Sequence, residues 1–132
     1  MSEDKYWWNK NRAKQLIRFD GLKYGNITPT DIDGLIEYQN KLWVLFEAKY
    51  ADKDVPNGQR LALERFVQNV KGAGKHGIAM IVQHDVKDTG KEVFLGSCKV
   101  REIYTTENPN WKTINFPITA KIMSDIYIKL YE

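Results

Sequence analysis

The sequence of 132 residues predicts one α/β domain, residues 1–132, with helices packed on a mixed β-sheet. Apolar runs of strand length occur together with amphipathic segments of helical length. Their predicted order is helix, strand hairpin, helix, strand, strand, helix, which is not the alternating pattern of a doubly wound sheet. No glycine-rich phosphate loop follows any strand, so dinucleotide-binding and P-loop folds are not expected.

The composition is that of a globular protein with a substantial core. Hydrophobic residues make up 42% and charged residues 28% of the chain. The net charge of +3 permits a nucleic-acid partner without requiring one. Cys98 is the only cysteine, which excludes an internal disulfide and favours a reducing compartment. With no signal-peptide pattern and no apolar run of membrane-spanning length, we expect a cytoplasmic protein without a membrane partner.

The first predicted elements are a helix over residues 4–19 and a β-hairpin. Gly21 and Gly25 end the helix, and its Tyr6-Trp7-Trp8 stretch is interpreted as packing or as a partner or dimer contact. Residues 31–38 and 42–50 are predicted as strands, the second being the more apolar. Residues 39–41 form the turn between them.

The second half of the chain supplies two helices and two strands. A helix is predicted over residues 58–70, with Leu63, Phe66 and Val67 on one face and glycines at its end. Residues 78–83 form a continuous apolar run, typical of a strand buried on both faces. Residues 99–105 predict another strand. Residues 118–130 predict a last helix, with Ile122, Ile126 and Leu130 facing inward.

Three charged residues in the hairpin are unexpected in strands that should pack. Side chains alternate across a strand, so Glu47 and Lys49 share a face with Trp43 and Leu45. A three-residue turn sets Tyr38 opposite Leu42 and Asp33 opposite Glu47, whereas a two-residue turn sends Asp33 to the other face. The parity argument therefore depends on an odd-length turn.

If this register holds, two carboxylates and a lysine converge at one end of the hairpin. Carboxylates a few ångströms apart repel unless a cation or proton lies between them. Their oxygen ligands suit Mg²⁺ or Mn²⁺ better than zinc, and a neighbouring lysine can stabilise charge on a phosphate. The alternative is a solvated charge ladder on an exposed face. The apolar neighbours favour the site, because charges in a buried strand must be paired or ligated.

This pattern resembles the PD-(D/E)XK, or restriction-endonuclease-like, nuclease superfamily. There an acidic residue opens one strand of a hairpin, and Asp or Glu, any residue and Lys follow on the next. Asp33 matches the first position and Glu47-Ala48-Lys49 the second. Asp31 competes with Asp33, shares its parity and could be an outer ligand, but Asp33 is preferred because parity can bring it to Glu47 and because Gly34 follows it. Gln59, after Gly58, resembles a Gln that several branches carry at the start of this helix, and residues 27–34 with 58–64 resemble small phage-type and bacterial proteins of the superfamily.

The resemblance implies a restriction-endonuclease-like sandwich and a metal-dependent deoxyribonuclease. Asp33, Glu47 and the main-chain carbonyl of Ala48 would bind Mg²⁺ or Mn²⁺, and Lys49 would be the catalytic lysine. Gln59, on the sheet-facing side of its helix, would lie near the metal. DNA is the expected substrate, and a homodimer would present two sites to two strands. The alternative is a non-catalytic nucleic-acid-binding or interaction module that retains the nuclease fold.

Overall fold

The computed structural model describes residues 15–132, and the chain divides into two units, residues 1–30 and residues 31–132. In the first unit, the backbones of Tyr24 and Ile27 exchange hydrogen bonds of 2.8 and 3.0 Å. Residues 15–19 are not helical, so the helix predicted over 4–19 is wrong in this part. Leu16 and Ile17 are exposed, and a short helix with no packed apolar face is only marginally stable. The rest of that helix, with Tyr6, Trp7 and Trp8, lies outside the described residues.

Residues 31–132 form a five-stranded mixed sheet with a helix on each face, which confirms the predicted α/β class. The elements in chain order are β1 (Gly34–Tyr38), β2 (Leu42–Tyr50), α1 (Asn57–Gly72), β3 (His76–His84), a 3₁₀ turn (Leu95–Ser97), β4 (Lys99–Thr105), β5 (Lys112–Thr113) and α2 (Ala120–Leu130). The strands lie in the order β1-β2-β3-β4-β5. β2 and β3 are parallel, and the other neighbouring pairs are antiparallel. The 3₁₀ turn and β5 were not predicted.

The hairpin has the predicted register. Tyr38 lies opposite Leu42, so residues 39–41 form a three-residue connection, in which Lys41 N donates to Tyr38 O at 2.9 Å. Gln39 and Asn40 both have positive φ values, of 50° and 57°, which match the twist of a hairpin turn. β1 begins at Gly34 and not at residue 31 as predicted. Asp33 ends the ladder because its side chain accepts a hydrogen bond from the facing strand.

The two faces of the sheet have separate cores, which we call the α1 side and the α2 side. On the α1 side, Leu63 and Val67 pack on Leu45, Ala79 and Tyr104. The α2 side buries alternate residues of β2, β3 and β4 against Ala120 and Met123, among them Val44, Phe46, Met80, Val82 and Val100. β3 is buried on both faces as predicted. The parallel β2–β3 connection through α1 brings the start of α1 close to the end of β2.

The inward face predicted for the last helix is wrong. Ile122, Ile126 and Leu130 are between 51% and 65% exposed. Ala120 and Met123 instead pack on the core, together with Tyr127 and Ile128. Apolar residues occur on both sides of this helix, so its sequence alone leaves the rotation open, and packing of the larger Met and Tyr side chains decides it. Neither α1 nor α2 has the length and apolar character needed to cross a membrane.

Candidate metal centre

The predicted site residues meet where β1 begins and β2 ends. Asp33 Oδ2 accepts a hydrogen bond of 2.7 Å from the backbone N–H of Ala48. The charge of Asp33 is close enough to act on Glu47, and Lys49 Nζ lies 3.5 Å from Glu47 Oε1. The hairpin register thus brings together Asp33, Glu47 and Lys49, the three side chains predicted from the sequence to form the site.

Glu47 is the most unusual group of this cluster because its charged side chain is only 5% exposed. Burial, followed by the nearby charge of Asp33, raises the pKa of Glu47 from 4.5 to about 7, although Lys49 opposes the shift. One lysine, itself 22% exposed, therefore does not compensate two carboxylates. The pair has a deficit of positive charge that a divalent cation would fill.

The backbone of Ala48 offers a third oxygen. The N–H and C=O groups of one strand residue point to the same side of the strand. Ala48 N–H points to Asp33 and away from β3, so the Ala48 carbonyl points in that direction too. Two carboxylates and one carbonyl are the hard oxygen donors that Mg²⁺ and Mn²⁺ prefer. The residues present therefore fit the expected metal.

Gln59 lies in the first turn of α1. It continues the stripe of Leu63 and Val67, the two α1 residues that are buried against the sheet. Gln59 is half-buried, and its Oε1 atom is inaccessible and has no hydrogen-bond partner in the described chain. A buried amide oxygen without a donor is costly, so this atom is available to a ligand or an ordered water.

An arginine clamp beside Gln59 was not predicted. Arg60 donates hydrogen bonds of 3.1 and 2.8 Å to the two carboxylate oxygens of Glu102 and one of 3.0 Å to Asp54. Glu102, Ile81 and Glu47 occupy one row across β4, β3 and β2. The clamp therefore holds the start of α1 over the row that contains Glu47. Arg101 and Glu102 are adjacent charged residues in β4, so the sequence gives a weaker signal for Glu102 than the apolar run before Glu47 gives for that residue.

Asp31 and Cys98, two other candidate residues, do not add to the cluster. Asp31 is exposed and precedes β1, and of the two competing aspartates it is Asp33 that contacts β2. Cys98 is buried, and burial raises the pKa of its thiol, which disfavours a nucleophilic role. Within residues 15–132, no group of three or more His, Cys, Asp or Glu side chains is arranged to hold a metal ion, so the centre has two carboxylates at most from these residues.

Comparisons with protein families, with curated proteins and with solved structures found no match for this chain.

Proposed function

We propose that this protein is a metal-dependent nuclease that hydrolyses phosphodiester bonds in DNA, with a PD-(D/E)XK-like site in a restriction-endonuclease-like sandwich. One observation carries the proposal: Asp33 accepts a hydrogen bond of 2.7 Å from the backbone N–H of Ala48, the residue between Glu47 and Lys49, and Lys49 Nζ lies 3.5 Å from Glu47 Oε1. A mixed sheet with this hairpin at its edge, followed by a helix, is compatible with that fold.

Asp33, Glu47 and the carbonyl of Ala48 would hold Mg²⁺ or Mn²⁺. The bound cation would polarise the phosphodiester and favour deprotonation of the attacking water. Formation of the centre requires Glu47 to be ionised. With its pKa at about 7 in the metal-free protein, Glu47 holds a proton for much of the time near neutral pH and must release it when the cation binds.

Lys49 is the residue placed to act on the reacting phosphate. It follows Glu47 by two residues, so the two side chains lie on the same face of β2, and its ammonium group is partly accessible. A fixed cation there stabilises the negative charge that develops on the phosphate oxygens in the transition state. Gln59, with its unpartnered Oε1 atom, would accept a hydrogen bond from the water or from a metal-bound group.

Cleavage of a DNA panel (single-stranded, duplex, flap and four-way) with Mg²⁺ or Mn²⁺ tests the function. Asp33→Asn and Glu47→Gln should weaken metal binding in calorimetry and abolish cleavage. Lys49→Met should retain metal binding but lower the cleavage rate by about 10²–10³-fold. Glu92→Gln and Lys129→Met are matched controls on exposed residues and should behave like wild type.

The outcomes separate the nuclease from the module that only retains its fold. No cleavage of any substrate with either metal would refute the nuclease proposal. Binding of DNA without cleavage would then support the non-catalytic nucleic-acid-binding module. Cleavage that survives Glu47→Gln would place the active site elsewhere in the chain.

A further inference from the structure

A pocket of about 420 Å³ opens on the α1 side of the sheet at the C-terminal end of α1. Trp43 of β2 and Phe66 of α1 form its aromatic walls, with ring centroids 6.3 Å apart and planes tilted by 59°. Trp43 is half-buried, whereas Leu45 and Glu47, the next two residues on the same face of β2, are buried. Part of the indole is therefore accessible at this end of the strand.

The polar residues of this pocket are of the kinds that hydrogen-bond a base or bind a phosphate. Asn40 and Asn69 place side-chain amides in its lining, and Lys75 supplies a cation. Asn69 Nδ2 donates to the carbonyl of Arg65 at 2.7 Å, which fixes the orientation of this amide. Among residues 15–132, no Asp or Glu lines this pocket. Glu37 lies opposite Trp43, but its carboxylate accepts the backbone N–H of Asn40.

The pocket and the candidate metal centre lie near opposite ends of α1, on the same face of the sheet. Trp43 and Glu47 share a face of β2 and are four residues apart, which is about 13 Å at 3.3 Å per residue. Leu45 lies between them and is buried against Leu63 and Val67 of α1, so a DNA strand does not run along β2 from one to the other. A strand that occupied both would pass around α1.

We propose that the Trp43–Phe66 pocket binds one unpaired base of single-stranded DNA, with Lys75 on the adjacent phosphate. This inference rests on the proposed nuclease function and names its substrate class. A base inside a duplex is stacked on both faces and must be flipped out before it can enter such a pocket. A base in a single strand or at a frayed end can stack on the indole directly. The site therefore prefers unpaired DNA.

The test is fluorescence anisotropy with a short labelled oligothymidylate, in EDTA so that no cleavage occurs. Loss of one stacked base in Trp43→Leu should weaken binding by about 5- to 150-fold. Lys75→Ala should weaken it less and reduce the salt slope by about 0.7, the value for one phosphate of single-stranded DNA. Lys71→Ala is the matched control, because Lys71 is an exposed lysine in the last turn of α1 outside the pocket.

Trp43→Leu and Lys75→Ala together distinguish a loss of DNA binding from a loss of folding. Trp43→Leu removes a packed ring, so its thermal unfolding is compared with wild type, whereas Lys75→Ala removes no apolar packing. If both variants bind the single strand as tightly as wild type, or if wild type prefers the duplex, the pocket proposal is overturned. If both variants lose affinity but wild type cuts no DNA with Mg²⁺ or Mn²⁺, the pocket proposal stands and the nuclease proposal fails.

Discussion

Replacing Glu47 with glutamine removes a buried charge while it keeps the size of the side chain. The native structure raises the pKa of Glu47 from 4.5 to about 7. At 1.36 kcal/mol per pH unit, this difference corresponds to an upper limit of about 3 kcal/mol. Asp33, which is exposed, contributes to the shift and is screened by solvent, so we expect ~1–3 kcal/mol.

The direction in which the free energy of unfolding changes with pH follows from proton binding by Glu47. The native state binds this proton more tightly than the unfolded chain does, so the free energy of unfolding of the metal-free wild type falls as pH rises from 4.5 to about 7. Below 4.5, both states are protonated and the penalty is absent. Above about 7, both are ionised and the full penalty remains. The Glu47→Gln variant lacks this dependence and should be the more stable protein at alkaline pH.

Urea unfolding at about pH 4.5 and about pH 8, in EDTA, measures the effect. The difference in the free energy of unfolding between variant and wild type should be larger at the higher pH by ~1–3 kcal/mol. Glu92→Gln, on an exposed loop residue, should show no such change. Added Mg²⁺ should stabilise wild type at pH 8 but not Glu47→Gln, because only an ionised Glu47 binds the cation. Equal differences at both pH values would refute the buried-charge argument.

Two further predictions concern the backbone around the site. A Cβ on Gly34 would lie 2.6 Å from Leu95 Cδ2, the end of a side chain that can shift, and 3.2 Å from Cδ2 of the buried Phe46. A Cβ on Gly58 would meet no atom of the described chain within 4 Å, so Gly58→Ala should be neutral or stabilise α1 by ~0.5–1 kcal/mol. In urea unfolding, Gly34→Ala should therefore be less stable than Gly58→Ala by about 1 kcal/mol. Equal effects at both positions would contradict the packing argument. Ala51 has a φ of 51°, so Ala51→Gly should raise the melting temperature slightly, and a lower one would show that no strain is stored there.

Much of the candidate site could be predicted because its geometry is local. Strand alternation puts Glu47 and Lys49 on one face, and the length of the turn sets the partner of each residue of β1. Both are properties of short segments, and the structure has the expected pairing of Tyr38 with Leu42. The stripe that carries Gln59 follows equally from helical periodicity.

Other features depend on contacts between distant segments. The choice of Asp33 over Asp31 is made by a hydrogen bond to Ala48, 15 residues away. The Arg60–Glu102 clamp joins positions 42 residues apart, and no local pattern pairs them. The rotation of α2 was wrongly predicted because both sides of that helix are apolar, and only packing on the sheet selects Met123 over Ile122.

The sequence by itself determined which charged residues could meet, because side-chain parity and turn length are encoded within the hairpin. Only the tertiary structure decided what environment they meet in. The burial of Glu47, and with it the pKa of about 7, arises from the packing of β2 between its neighbouring strands and under α1. Desolvation is a property of the whole assembled sheet, and therefore it cannot be read from any one segment.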